Sequence, residues 1–162
     1  MTLIAVIVVV IALPAGSQQP QERGTITLFE PNNIKINWEK VIDQGRKGMS
    51  AGDTILIVDA LFDPETCQRV GTLVGRIAIS KMLNQGNAWF IGDFTLNLAG
   101  GKVIAEAAAK FTEFSQTEDG VFAVTGGTEA YRDVSGEVKF QEDVAMCDRK
   151  GSLTTIDIGP QP

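Results

Sequence analysis

Apolar and polar residues alternate along most of the chain beyond Gly24, which is the pattern of strands with one buried face. In one short stretch, for example, Ile34, Ile36 and Trp38 alternate with two polar residues. Glycine, proline, asparagine and aspartate separate these stretches and indicate turns. The pattern predicts strands over residues 25–30, 34–38, 54–62, 69–79, 88–98, 102–112, 121–125, 134–146 and 152–158.

Eight or nine short strands without a convincing amphipathic helix predict an all-β fold, and we favour an eight-stranded antiparallel β-barrel over residues 24–160. A two-sheet sandwich is the alternative. Gly71 and Gly75 lie inside one predicted strand, where glycine permits the tight bends of a barrel wall. The weakest strand is 102–112, because its alanine-rich centre has helix propensity. Its position directly after a two-glycine turn favours a strand.

An unbroken apolar run, Leu3–Leu13, precedes the predicted barrel and lies outside it. We assign residues 1–17 to an apolar leader and 18–23 to a polar linker. The length of the run suits the apolar region of an export signal, although no basic residue precedes it. Two interpretations stay open: a signal or membrane-proximal anchor, which makes the protein exported, or a retained lid or extra strand, which leaves it cytoplasmic.

The composition excludes several kinds of chemistry. The chain has 20 acidic and 14 basic residues, for a net charge of −6, so nucleic acid is not an expected partner. It has no histidine, which removes the usual general base and the commonest zinc ligand. We therefore expect no metal and no cofactor, and a small apolar molecule as the partner. A homodimer stays open.

The two cysteines, Cys67 and Cys147, both lie in predicted turns. In an oxidising compartment they could pair and close a long loop. Two unrelated thiols are the alternative.

The most distinctive stretch is Val124–Val138, in which a strand runs into Thr125-Gly126-Gly127-Thr128, followed by Tyr131-Arg132 and then by Gly136. On physical grounds it indicates a structural corner. Both turn glycines would take positive φ angles, and Tyr131 would plug the end of the barrel.

As a block, this stretch resembles the signature of the allene oxide cyclase and dirigent superfamily. Asp59–Asp63 and Arg69–Thr72 resemble other pieces of it in the same order, so the likeness extends over about residues 24–158. The resemblance implies an eight-stranded barrel with an apolar cavity, in which reactive and largely apolar intermediates are guided into ring closure. Bacterial relatives in polyketide pathways catalyse Diels–Alder-type closures. Val134-Ser135-Gly136 replaces a usual Ala-Arg-Gly, which argues against plant-type dirigent chemistry.

Charged residues that interrupt apolar strands are the candidate catalytic groups: Asp59, Arg76 and Glu106, with Asp93 as a further candidate. Inside a barrel, such a carboxyl would have a raised pKa or would pair with Arg76. The alternative is that each points into solvent. Candidate apolar residues for substrate binding are Leu56, Val58, Phe62, Trp89, Ile91, Phe94, Phe111 and Tyr131. Strict alternation places Asp59 on the face opposite Leu56 and Val58 unless a bulge intervenes.

Three functions remain open from the sequence. The first is a cofactor-independent cyclase that holds an apolar, polyketide-like intermediate and directs a pericyclic or Diels–Alder-type closure. The second is a secreted, non-catalytic binding barrel of the dirigent kind. The third is a purely structural or interaction domain.

Overall fold

The computed structural model describes residues 24–32, 34–45, 47–83, 87–112, 116–117 and 121–160, with the backbone alone at 111–112 and 116–117. The predicted leader (1–17) and linker (18–23) lie outside the described residues. This part of the chain forms ten strands: β1 (Gly24–Pro31), β2 (Trp38–Ile42), β3 (Thr54–Phe62), β4 (Arg69–Met82), β5 (Ala88–Leu98), β6 (Gly101–Thr112), β7 (Gln116–Thr117), β8 (Val121–Gly127), β9 (Val134–Met146) and β10 (Arg149–Pro160). A short 3-10 turn, Glu129–Tyr131, precedes β9.

Eight of these strands close into an antiparallel barrel. Their order is β1-β10-β9-β8-β6-β5-β4-β3, and β3 pairs back with β1 through Phe62 and Phe29. Strand β2 lies outside this cycle, on the free edge of β3, and β7 pairs with the end of β6. The predicted eight-stranded antiparallel barrel is confirmed.

The alanine-rich stretch with helix propensity is a strand, β6. Ala105 and Ala109 point into the barrel and are paired with Phe94 and Phe90 of β5. These alanines leave room for the two phenylalanine rings, so packing between strands outweighs local propensity here.

The strand predicted over residues 34–38 is wrong, because residues 34–37 form a turn in which the Asn37 N–H donates to the Ile34 carbonyl at 3.0 Å. The strand begins at Trp38 and continues to Ile42. Alternation alone could not place this boundary, because it carries no information about the hydrogen bonds of the backbone.

Apolar side chains fill the middle of the barrel. The rings of Phe94 and Phe140 both pack edge-to-face on Phe122, with centroids 4.8 and 5.1 Å away. Gly75 makes room for this cluster, because an added Cβ would lie 2.6 Å from the Phe94 ring. The apolar hollow that the resemblance implied is therefore occupied here by the protein's own side chains.

The corner after β8 is held by close backbone approach. Neither Gly126 nor Gly127 lies in the left-handed region, which corrects the predicted positive φ angles. A Cβ at Gly127 would clash with the carbonyl oxygens of Lys102 and Tyr131, whereas a Cβ at Gly126 would meet nothing within 4 Å. Tyr131 is half-buried and packs against the apolar core, close to where a Cβ on Gly100 would lie.

The structure predicts that one added methyl group will change the stability of the protein at Gly127 but hardly at Gly126. Gly127→Ala should lower the free energy of unfolding by about 2 kcal/mol or more, because the obstructing atoms belong to the backbone. Gly126→Ala is the matched control and should change it by less than about 0.5 kcal/mol. Urea unfolding of both variants measures the difference, and equal stabilities would contradict this account of the corner.

Candidate functional site

The barrel wall is incomplete between β1 and β3. These strands share one residue pair, Phe29 with Phe62, and β1 ends two residues later at Pro31. Beyond that pair, the side chain of Asn37 forms hydrogen bonds with both strands in place of backbone pairing. Its amide nitrogen donates to the Pro31 carbonyl at 2.9 Å, and its amide oxygen accepts from the Ala60 N–H at 3.0 Å. A side chain therefore joins the two strands where a ladder would otherwise continue, and we call this place the seam.

A pocket of about 630 Å³ opens at the seam. Its wall carries inward-facing groups from β1, β3 and β10, and its rim is formed by the turn after β1 and the start of β2. The lining residues are Glu30, Pro31, Asn32, Ile34, Lys35, Asn37, Trp38, Glu39, Ile57, Asp59 and Ser152.

The register explains why acidic groups face this pocket. Asp59 is paired with the buried Leu73 of β4, and opposite residues in an antiparallel pair point to the same face. Glu30 follows Ile26 and Leu28 on the inner face of β1 and is paired with Ser152. Both carboxyls are therefore directed inward by the ordinary pleat, without a bulge between them and their buried neighbours.

Glu30 is the most perturbed of the described acidic groups. Burial raises its pKa from 4.5 to about 7, and the negative charges of Asp59 and Glu142 add to this effect. A hydrogen bond from the buried Thr154 hydroxyl opposes the rise in part. The Glu30 carboxyl is therefore largely protonated below pH 7 and can donate a hydrogen bond into the pocket.

A second carboxyl and a polar pair surround Glu30. Burial raises the pKa of Asp59, and the nearby charge of Glu39 raises it further. The Ser152 hydroxyl, which lines the pocket, donates to the Glu142 carboxylate at 2.7 Å. The pocket thus contains a carboxyl that is protonated mainly because it is buried, and acidic neighbours that add to this effect.

A disulfide spans the seam. It joins Cys67, in the turn between β3 and β4, to Cys147, in the turn between β9 and β10, so the paired alternative is the one observed. Since β1 lies between β10 and β3, the cross-link spans the strand that carries Glu30. It connects positions 80 residues apart. A closed loop of that size adds roughly 4 kcal/mol of stability in the chain-entropy description.

No protein-family model matches the sequence, and no curated protein does either. Solved structures do share its architecture. A pyocyanin demethylase aligns with a TM-score of 0.65 at 22% identity, covering 83% of this chain and 99% of its own. The pterocarpan synthase dirigent protein PsPTS1 aligns at 0.58 and 14% identity, covering 89% and 99%. The Diels Alderase AbmU from Streptomyces koyangensis aligns at 0.56 and 15% identity, covering 87% and 70%.

The chain has the allene oxide cyclase-like barrel fold. At these identities the likeness concerns the fold, and the chemistry has to be argued from the site.

In this allene oxide cyclase-like barrel, the three predicted catalytic residues do not come together. Asp59 faces the seam pocket. Arg76 and Glu106 lie on the outer wall, where Arg76 forms an exposed ion pair with Asp93 at 2.7 Å and Glu106 is paired in register with Asp93. Arg76, Asp93 and Glu106 line an outer depression of about 390 Å³. For these residues the alternative orientation into solvent is therefore the one observed, and the register of β4, β5 and β6 accounts for it.

The predicted apolar lining is also redistributed. Of this set, Phe94 is buried inside the barrel. Trp89 and Ile91 are exposed on the outer wall, because they alternate with the buried Phe90 and Gly92. Leu56 and Val58 face outward beside β2, since their neighbours Ile57 and Asp59 face inward. Phe62 is partly buried at the seam and Tyr131 at the corner, while the side chain of Phe111 lies outside the described residues.

Glu30 was not among the predicted site residues, although the sequence contains a signal for it. Ile26 and Leu28 alternate with polar residues on one face of β1, and the next residue of that face is Glu30. Trp38 and Ser152 gave no such signal, because their position depends on how β2 and β10 approach the seam.

Among the described residues, no three histidine, cysteine, aspartate or glutamate side chains are arranged to hold a metal ion. The same part of the chain contains no helix long and apolar enough to cross a membrane.

The raised pKa of Glu30 predicts how stability depends on pH. Between pH 4.5 and about 7 the folded protein keeps a proton that the unfolded chain has lost, so stability falls as the pH rises through this range. At about 1.4 kcal/mol per pH unit, this costs about 3 kcal/mol above pH 7. Glu30→Gln should remove the cost, so its advantage over the unmodified protein should grow from pH 4.5 to 7.

Urea unfolding at a series of pH values measures this difference. Glu65→Gln, at an exposed position in the turn after β3, is the matched control and should follow the unmodified profile. Comparison between variants also cancels the opposite contributions of Asp53 and Asp63, whose pKa values are lowered by backbone hydrogen bonds. Parallel profiles for the unmodified protein and Glu30→Gln would refute the assignment.

Proposed function

We propose that this chain is a cofactor-independent cyclase, which binds a small, largely apolar and polyketide-like intermediate at the seam and promotes a pericyclic or Diels–Alder-type ring closure. The observation that carries the proposal is the Glu30 carboxyl, with a pKa of about 7, facing a pocket of about 630 Å³. A pocket of this size suits one small organic molecule.

A ring closure of this kind requires little from the protein beyond holding the ligand in position and polarising its reacting double bond. A protonated Glu30 would donate a hydrogen bond to a carbonyl oxygen of the ligand and draw electron density from the reacting double bond. The new carbon–carbon bonds form within the ligand, nothing leaves, and Glu30 keeps its proton. Holding the two reacting ends close together would supply the rest of the acceleration.

The surrounding residues have distinct roles in this proposal. Thr154 orients the Glu30 carboxyl, and burial keeps it protonated, with a smaller contribution from the charge of Asp59. Ile57, on the inner face of β3, offers apolar surface to the ligand. Arg76 and Glu106 take no part, because a ligand at the seam would not reach the outer wall.

The compared structures support this class of reaction in part. AbmU is described as a Diels Alderase and PsPTS1 as a pterocarpan synthase dirigent protein, whereas the protein with the highest TM-score of the three is described as a demethylase. The fold therefore accommodates different reactions, and the protonated carboxyl is our reason for choosing ring closure.

The test is the ring closure of a linear conjugated diene tethered to an enone, followed by chromatography with and without protein. We expect acceleration that declines as the pH rises through about 7 and that falls about tenfold or more in Glu30→Gln. Glu65→Gln should retain the full rate. A rate and product ratio unchanged in Glu30→Gln would reject Glu30 as the hydrogen-bond donor.

A second candidate is a secreted, dirigent-like barrel that binds its ligand without accelerating a reaction. The disulfide between Cys67 and Cys147 favours it, because disulfides persist in oxidising compartments. Under this alternative, the tethered diene would bind at the seam and close at its uncatalysed rate.

A further inference from the structure

The outward side of the sheet from β2 to β6, which we call the outer face, carries uncovered apolar side chains. Ile91 is 59% exposed and Val74 is 44% exposed. The register places Val58 and Ile104 in the same cross-strand row as Val74. Large apolar side chains that share one exposed face are typical of an interaction surface.

Charged groups at the centre of the outer face are confined to one cross-strand row. From β2 to β6 this row consists of Lys40, Leu56, Arg76, Asp93 and Glu106. Both positive charges therefore lie on one side of the row and both negative charges on the other. The two flanking rows, which contain Val74 and Ile91, carry no charged residue on these described strands. The three rows are neutral together, although the whole chain has a net charge of −6.

Lysines border these three rows at both ends. Lys102 lies one row beyond Ile104, and Lys81 and Lys110 lie in the row beyond Ile91. An apolar surface with a polar rim is typical of a protein–protein contact. The outer depression of about 390 Å³ lies inside this rim and offers space for side chains of a partner.

We propose that the outer face binds a second copy of this chain, about a two-fold axis that runs parallel to the strands between β4 and β5. A single contiguous patch favours this symmetry, because both subunits of a two-fold dimer use the same surface. The rotation reverses the order of the strands. Strand β4 therefore faces β5 of the second copy, and β3 faces its β6.

This reversal matches charge as well as apolar surface. Arg76 of each copy meets Asp93 of the other, and because the two residues also form an ion pair within each chain, the four groups alternate in sign. In the flanking rows, Val58 meets Ile104 and Ile91 meets Ala78. An axis along the rows would instead place Arg76 on Arg76 and Asp93 on Asp93, which like-charge repulsion disfavours.

The proposed dimer is independent of the proposed function. The outer face lies on the outside of β2 to β6, whereas the seam pocket opens between β1 and β3 and is lined by Glu30 and Asp59. Self-association and ring closure can therefore fail separately. The dimer also gives a role to Arg76 and Glu106, which the ring closure does not use.

The experiment is sedimentation velocity of the full chain over a range of concentrations. We expect an equilibrium between monomer and dimer. Arg76→Asp and Asp93→Arg each place like charges opposite one another twice in every dimer, and each should weaken self-association about tenfold or more. An equimolar mixture of the two variants should recover the dimer, because every facing pair is then of opposite sign.

Arg149→Asp is the matched control. It makes the same change at an exposed position of β10, on the opposite side of the barrel, and should dimerise as the unmodified protein does. Arg76 and Asp93 are exposed in the monomer, and circular dichroism checks that their variants keep the fold. A chain that stays monomeric, an assembly larger than a dimer, or an Arg76→Asp dimer of unchanged strength would overturn the proposal. So would a mixture that associates no better than either variant alone.

Discussion

The pairing of β1 with β3 is the constraint on which the rest of this structure depends. A barrel abolishes its edges only if every strand is paired on both sides, and here closure is reduced to the single pair Phe29–Phe62. The side chain of Asn37 and a disulfide compensate for the missing ladder. The wall therefore holds while the strands diverge enough to leave a pocket.

The same constraint explains where the polar chemistry lies. The middle of the barrel is packed with phenylalanine rings and offers an acidic group neither solvent nor space. At the seam, a carboxyl can be buried enough to be desolvated and still face an opening. Glu30 occupies this position, with the Thr154 hydroxyl as its hydrogen-bond partner and acidic neighbours that favour its protonated form. Burying such a group costs stability, which is typical of a residue retained for function.

Much of the architecture could be predicted from the sequence, because alternation and turn residues report on local backbone shape. β3 and β5 begin and end where the pattern places them, and Asp59 lies on the face opposite Leu56 and Val58, as strict alternation predicts. The turn at residues 34–37 could not be predicted, because the contacts of Asn37 with Pro31 and Ala60 are made across strands. Arg76 and Glu106 show the complementary limit. A charged residue within an apolar strand can lie on either face of the sheet. Only the pairing register with β5 places Arg76 and Glu106 on the outer wall.

The most direct test of this account is the titration of the Glu30 carboxyl in the folded protein, followed by carbon NMR and assigned with Glu30→Gln. We predict a midpoint near pH 7, caused chiefly by burial at the seam. A midpoint near the ordinary value of 4.5 would mean that Glu30 is ionised at neutral pH and would contradict the central claim.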